Sequence, residues 1–396
     1  MSRPAIVPLW DLLTEVKPGY ACGEEVEDGI LQIRMNNVTR DGRLDLSRRR
    51  LVPRQSERME KFSLRPGDVL FNATNSPDLV GKAALFTRST EAVFSNHFFR
   101  LRVDEAKVLP GYLTRWLQMQ FLRGVFKSMC QQWVNQATVS RDALLRLSLP
   151  LPALGQQRRI TEMLDCLDNL STKQREAQAL LDELERSAFL DMFGDPFANP
   201  HGFPECELAE LVSRGDRINY GVVQPGGYDE TGVPMIRVGD LADGGVDRSV
   251  LKRISSSIEG QYYRSRIRGN EILVSCVGSI GSVSMVGPKD VGSNIARAVA
   301  RVPLDDDDTR QYLMAYLRTK AVQDYFVREL RTVSQPTLNI KQIAATRVLV
   351  PPPNLLRKFA IQAAAANRLK GMHRARLAEL DALFASLQDR AFRGEL

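Results

Sequence analysis

Few side chains in this sequence are spaced as a reaction would need them. Pro77-Asp78 is followed by Glu105-Ala106-Lys107. Two acids and a lysine can hold a divalent metal and activate water against a phosphodiester, so a nuclease is one reading. A pattern this loose also arises often by chance. Nothing else supports catalysis. The chain has no G-x-x-x-x-G-K-[ST] phosphate loop, and Gly278-Ser279-Ile280-Gly281 lacks the dinucleotide-binding spacing. It also lacks the Asn/Asp-Pro-Pro-aromatic run of amino-methyltransferases. Cys22, Cys130, Cys166, Cys206 and Cys276 form no C-x-x-C pair. With only His97, His201 and His373 beside them, no zinc site can be assembled by spacing. The expectation is a chain with no catalytic residues, cofactor or metal of its own.

Residues able to read nucleic acid are more numerous. Base edges are read by Arg, Lys, Asn, Gln and Ser, and phosphates attract Arg and Lys. In the first half such residues follow expected strands: Arg34, Asn36, Asn37 and Arg40, then Asn72, Asn75, Ser76 and Lys82, then Asn96. Gln132, Trp133, Asn135, Gln136 and Ser140 form a polar stretch around one aromatic ring. The second half offers Asn219 with Tyr220, then Arg237, Ser275, Ser279, Asn294, Arg297, Gln335, Thr337 and Asn339. Asn and Ser are also ordinary turn residues, and an Arg on a strand is commonly solvated. Arg48-Arg49-Arg50 fits phosphate binding or simple solvation.

The elements that must position these residues repeat. Leu149-Pro150-Leu151-Pro152 ends one segment, and a helix follows. Counting heptads from Ile160, the "a" positions are Ile160, Leu167, Gln174, Leu181 and Ala188, and the "d" positions are Met163, Leu170, Ala177, Leu184 and Asp191. That is a coiled-coil seam, stopped by Gly194-Asp195-Pro196. Val350-Pro351-Pro352-Pro353 opens a second such helix, through Leu355, Phe359, Leu369, Leu377, Leu380, Phe384, Leu387 and Ala391 to Gly394. Between them the order of elements recurs. Gly29 to Met35 matches Gly232 to Val238, and Leu64 to Phe71 matches Ile267 to Val274. Ser95-Asn96 is set against Ser293-Asn294, Tyr112 to Phe126 against Tyr312 to Phe326, and Gln136-Ala137-Thr138 against Gln335-Pro336-Thr337. The chain is an internal duplication. Its scaffold repeats while its loops differ, as in two binding units with unlike targets.

If the two helices pair antiparallel, a pseudo-two-fold axis passes between their midpoints, near Gln174 and His373. These would then meet as a polar contact that fixes register, unless His373 lies at the margin and Gln174 on solvent. The 396 residues exceed one core and imply at least two domains. The 54 Lys and Arg against 47 Asp and Glu leave a charge of +7, which favours an anionic partner without proving one. The start Met-Ser-Arg-Pro reads as no signal peptide, and no uncharged apolar run reaches membrane-spanning length. With scattered cysteines, the expectation is a cytoplasmic protein without membrane contact.

Two passages then resemble a known family. One is Leu149 to Pro152 with Gln156-Gln157-Arg158-Arg159-Ile160, Leu180-Leu181-Asp182-Glu183-Leu184 and Phe189-Leu190-Asp191-Met192-Phe193-Gly194-Asp195-Pro196. The other runs from Leu377 to Gln388 and through Arg390-Ala391-Phe392-Arg393-Gly394-Glu395-Leu396. Both are similar to the conserved helical regions of the specificity subunit of Type I restriction–modification enzymes. The resemblance implies an α+β fold. Two similar mixed α/β target-recognition domains (1–150 and 200–350) are separated by a pair of long antiparallel coiled-coil helices (153–194 and 354–394). It implies that each domain reads one half of a bipartite, asymmetric site in double-stranded DNA, while the helices set the gap. Two modification subunits, holding S-adenosylmethionine and methylating adenine at N6, would dock on the chain, and restriction subunits can join. A departure is Arg357-Lys358-Phe359-Ala360 where the first helix has Gln157-Arg158-Arg159-Ile160. Against this stand the nuclease and a coiled-coil scaffold that binds only proteins.

Overall fold

In the computed structural model, residues 4–132, 136–242, 245–332 and 336–396 are described. The chain divides into two compact units, one of residues 1–173 with 377–396 and the other of 174–376. Each therefore owns half of either long helix.

In the first unit, an antiparallel sheet runs in the order Leu13–Pro18, Phe98–Val103, Val69–Asn72 and Ala83–Leu85. A second sheet sets Ile30–Ile33 between Leu51–Val52 and the parallel strand Ala92–Phe94. Apolar and polar residues alternate over Gln32-Ile33-Arg34-Met35, a pattern that points to a strand with one wet face. The strand is buried throughout, because it is the central one and even Gln32 is covered, donating to the Tyr20 carbonyl at 3.3 Å. A third, small sheet joins Gln131–Gln132, Ala137–Thr138 and Thr74–Asn75. Ala5–Pro8 pairs with Ser148–Leu151 and closes the unit. Helical spacing of Leu113, Leu117, Phe121 and Phe126 points to one helix over 110–127, and the structure has two, Pro110–Leu122 and Val125–Met129. Gly124 at φ 73° separates them, a conformation that suits glycine.

The second unit repeats this plan. Its main sheet is ordered Asn219–Tyr220, Val299–Pro303, Glu271–Ser275 and Val283–Met285, and Val233–Ile236 lies between Lys252–Ile254 and the parallel strand Asn294–Ile295. Glu205–Glu207 pairs with Arg347–Leu349 as the closing ribbon. The acidic run 305–308 leads into a helix: Asp306 accepts the Thr309 amide at 2.8 Å ahead of Asp307–Arg318. A helix N-terminus favours this charge.

The long helices span Leu154–Phe193 and Pro353–Arg393. In the first unit, Ile160 and Leu164 at the start of the first share a core with Ala391 and Phe392 at the end of the second. In the second unit, Phe189 and Phe193 meet Phe359, with ring centroids 5.7 and 5.4 Å apart. Both pairings are antiparallel. Each such aromatic ring stabilises its core by roughly 1.5–3 kcal/mol through removal from water.

The expected seam is only partly right. Its "a" set packs inward, and Met163 of the "d" set packs on the first unit's core, but Leu170, Leu184 and Asp191 of that set are exposed. Leu170 and Leu184 are 41% and 62% exposed. The inward positions are Leu164, Ser171, Glu185 and Met192. Likewise Leu369 faces outward while Lys370 is buried. Apolar type misleads here because the inner face carries paired polar groups. Ser171 donates to Asp381 at 3.4 Å, and Lys370 pairs with Asp182 and, at 2.6 Å, with Glu185. Gln174 Oε1 and His373 Nδ1 lie 2.5 Å apart, so the two midpoint residues do touch.

Candidate nucleic-acid interface

Both units build the same polar loop after their central strand. In the first, the Arg34 amide donates to Asn37 Oδ1 at 2.9 Å, closing a tight turn. The buried Asn37 then donates to the carbonyls of Asp45 and Arg48 at 2.9 and 3.0 Å. In the second, the Arg237 amide donates to Asp240 Oδ2 at 2.7 Å. The onward links recur: Asp45 and Asp247 amides reach the carbonyls of Asn37 and Asp240, both at 2.8 Å. Asn37 thus supports the loop from inside, while Asn36 and Arg40 stand exposed on it.

Lys82 is buried too. Its ammonium donates to the carbonyls of Met35, at 2.9 Å, and Val38. Burial, then the Arg40 charge, pull its pKa below the usual lysine range. Asn72 is equally enclosed, donating to the carbonyls of Thr74 and His97 at 3.2 Å each and accepting from Asn75 at 2.6 Å. The small sheet sets Ala137, which follows Gln136, between Asn75 on one side and Gln132 on the other. Ser140 caps the helix Arg141–Leu145 through the Ala143 amide at 3.2 Å. These bonds link the segments 34–40, 72–82, 96–97, 131–132 and 136–140 along one edge. Asn36, Arg40, Asn96, Gln132 and Gln136 are exposed there. Trp133, Asn135 and Gln335 lie outside the described residues.

In the second unit, Tyr220 OH donates to the Leu338 carbonyl at 3.4 Å and accepts the Ile340 amide at 3.0 Å. Burial raises its pKa above the usual phenol value. Thr337 bridges to Val277, and Asn339 caps the following helix, its amide donating to Gln342 at 2.7 Å. Ser275 is buried, accepting the Ser282 amide at 2.9 Å, whereas Ser279 is exposed. Asn219 donates to the Arg264 carbonyl at 3.3 Å. Asn294 is enclosed by Glu259, Ser265 and Tyr262.

The duplication assigns one residue differently from the sequence match. The Ser95 and Ala296 amides reach the carbonyls of Ile33 and Ile236, both at 2.9 Å, and the Asn96 and Arg297 amides reach Tyr20 and Val222. Asn96 therefore corresponds to the exposed Arg297, not to buried Asn294. Loop lengths differ as well. Asn72 and Gly81 close one loop across nine positions, and Ser275 and Gly281 close its counterpart across six. The nuclease-like residues have other partners: Asp78 pairs with Lys127 at 2.7 Å and Lys107 with Asp104 at 3.2 Å. Among the described residues, no group of three or more His, Cys, Asp or Glu could hold a metal, and no helix is long and apolar enough to cross a membrane. Sequence reading also passed over Arg54, Arg88, Arg248, Lys252 and Arg253, which line cavities beside the duplicated strand pair.

Residues 33–185 match the family model of the Type I restriction modification DNA specificity domain. The chain is 30% identical over 361 residues to the Type I restriction enzyme EcoBI specificity subunit of Escherichia coli, covering 82% of this chain and 72% of that one. The chain belongs to the specificity subunits of Type I restriction–modification enzymes. This subunit recognises DNA sequence within such a complex and is not itself catalytic. The EcoKI specificity subunit of Escherichia coli strain K12 is 21% identical, over 93% of this chain and 83% of its own. In fold the subunit is similar to the Type-I restriction-modification system S subunit from M. genitalium, with TM-score 0.62, 14% identity and coverage of 98% and 96%. A chain from work on complex assembly and conformational transition of the type I R-M system matches at TM-score 0.54, with 18% identity and full coverage of both.

Proposed function

We propose that each unit reads one half of a split, asymmetric DNA site through its polar edge, and that the helix pair sets the gap. The observation that carries this is a loop frame whose turn-closing and onward backbone bonds repeat, with unlike side chains on it. Asn36 and Asn96 in one unit stand where Gly239 and Arg297 stand in the other. Identical supports with different exposed donors are what two targets require. The exposed residues Asn36, Arg40, Asn96, Gln132, Gln136, Arg237, Ser279 and Arg297 are the contacts. The buried Asn37, Asn72, Lys82, Ser275 and Asn294 hold them in place. The domains correspond to 1–150 and 200–350, with the helices 153–194 and 354–394 as spacer.

The helices also present an unpartnered apolar stripe. Leu180 and Leu184 on the first, and Ile361, Leu369 and Met372 on the second, are each more than 45% exposed. Exposed apolar groups at this density mark a protein contact. Two modification subunits, carrying S-adenosylmethionine for adenine N6 methylation, are the partners that fit. The supply of the methyl group then belongs entirely to them.

The test is a methylation map. The chain is expressed with its neighbouring modification subunit in a methylation-free host, and the genome is sequenced for modified adenine. A split motif with a fixed gap, lost when either protein is omitted, is the expected result. An assembled complex that methylates nothing would refute DNA readout and favour a protein scaffold.

A further inference from the structure

The polar edge is not the only basic feature that both units share. A cavity of about 600 Å³ lies beside the strand pair of the second unit, lined by Arg237, Arg248, Lys252, Arg253 and Tyr228. A cavity of about 340 Å³ beside the equivalent pair of the first is lined by Arg49, Arg54, Arg88, Leu46 and Leu51 among others. Strand register makes the two places equivalent. Leu31 faces Leu51 as Pro234 faces Arg253, and all four residues line their cavities.

The basic residues themselves are not equivalent. Arg253 stands where Leu51 stands, Arg248 where Leu46 stands, and Leu251 where Arg49 stands. Two diverged copies thus surround the same cavity with positive charge from different positions. A shared ligand requires only the charge.

The charges are partly unspent. Arg237 is committed to Asp240, with two bonds of 3.0 Å. Arg248 gives only Nη1 to Asp290, at 2.8 Å, and Lys252 gives one bond to the Gly226 carbonyl, at 3.0 Å. Arg253 has a buried Nε without a partner and no ion pair among the described residues. In the first unit Arg54 pairs with Glu91 at 2.6 Å, while Arg49 and Arg88 are exposed. Each cavity therefore keeps two or three cationic donors that can converge on one small anion. Arg237 also joins the second cavity to the polar edge, because its neighbour Ile236 accepts the Ala296 amide beside Arg297.

We propose that these cavities are a duplicated pair of phosphate sites, each holding a backbone phosphate of the DNA flanking its half-site. The inference rests on the reading of the chain as a DNA-recognition subunit. A bound phosphate fixes the duplex against the loops without reading sequence. Each such contact adds about 0.9 to the slope of log affinity against log salt.

The experiment titrates the complex of the full chain with its modification subunits against a fluorescent duplex carrying the methylated motif, and against a duplex lacking it, from 50 to 200 mM salt. The variants are Arg248→Gln with Arg253→Gln, and Arg49→Gln with Arg88→Gln. Each pair is expected to flatten the slope by about one on both duplexes. The affinity gap from wild type then shrinks about 3.5-fold across that salt range for each lost contact. Arg253→Lys, which keeps the charge, should keep the slope, and it reports even if the glutamine pair fails to assemble. Arg214→Gln, beside the acidic run at Asp305, should change nothing. Wild-type binding with an unchanged slope in both pairs, or an equal loss from Arg214→Gln, would overturn the sites while leaving DNA readout intact. Wild type that neither binds nor methylates would overturn both.

Discussion

Arg301→Met should open the second unit far more than Arg100→Met opens the first. The two arginines are equivalent: Arg100 pairs across the sheet with Leu70, and Arg301 with Leu273. Their surroundings differ. Arg301 is fully buried, its Nε lies 3.3 Å from Glu271, which is also fully buried, and it pairs with Asp216. It further donates to the Arg264 carbonyl at 2.5 Å and to Asn219 at 3.4 Å, so it ties the edge strand Asn219–Tyr220 and the 264 turn to the sheet. Arg100 pairs with Glu15, which is 32% exposed and retains Arg102 at 3.1 Å. Removing Arg301 strands a buried carboxylate and costs about 3–5 kcal/mol. Removing Arg100 leaves Glu15 with water and a second cation, and costs about 1–3 kcal/mol. Native-state hydrogen exchange on the full complex separates these. Protection in Val299–Pro303 should fall by about two to three and a half orders of magnitude, with Phe98–Val103 unaffected by that variant. Acid adds a second readout. Burial alone would raise the Asp216 pKa, but the hydrogen bond and charge of Arg301, with Arg268, outweigh it and hold the carboxyl below its usual range. Its contribution is therefore complete above about pH 3.9 and is lost as pH falls through the lower folded value. The Arg301→Met subunit should loosen in that unit at a higher pH than wild type. A loss of protection under tenfold, or an equal effect from Arg100→Met, would refute the reasoning.

Lys82→Met keeps the bulk but leaves the Met35 and Val38 carbonyls without their donor, at a cost of about 1–3 kcal/mol. Exchange in 34–40 should rise, and the methylated motif should become degenerate in one half only; degeneracy in both halves would contradict a local role. Lys370→Met strands Asp182 and Glu185 against the helix pair, and thermal unfolding of the complex should drop by several degrees, with Lys370→Arg largely restoring it. Burial lowers the Lys370 pKa, but those two carboxylates raise it further, so wild type should lose this stabilisation only as pH rises through a value above about 10.4. Gln174→Leu with His373→Leu should raise stability yet yield methylated sites with mixed gaps, because one polar pair in a seam selects register. A single unchanged gap would remove any register role from that pair.

The duplication, the two helices and the midpoint contact were legible in the sequence because they rest on order and spacing. The seam phase was not. Leu170 and Leu184 carry the apolar signal, yet Ser171 and Glu185 take the inner positions, since their partners Asp381 and Lys370 sit on the other helix and no local pattern reveals them. The polar loop residues show the same limit. Asn36 and Asn37 are one type in one turn, but one faces solvent while the other spends its amide on two carbonyls. Only the fold separates an exposed side chain from the one that supports it. Asn294 was matched with Asn96 on type, and the backbone bonds give that place to Arg297.

If the exposed edge reads bases, as proposed, this division explains how one scaffold can acquire new targets. The bonds that repeat between the units are all inside: the turn closed by Asn37 or Asp240, the buried arginine on the central strands, the tyrosines Tyr112 and Tyr312 donating to Pro150 and Leu349 at 2.8 and 3.0 Å. The positions that diverge are exposed, and surface substitutions away from such bonds change stability by no more than about 0.5 kcal/mol. Asn96 can become Arg297, and a loop can lose three residues, without disturbing the frame that aims them. Base readout at a single position is worth about 1–3 kcal/mol of discrimination. Specificity can therefore move by several times the stability it costs, provided that changes stay on the edge and the buried hydrogen bonds remain intact.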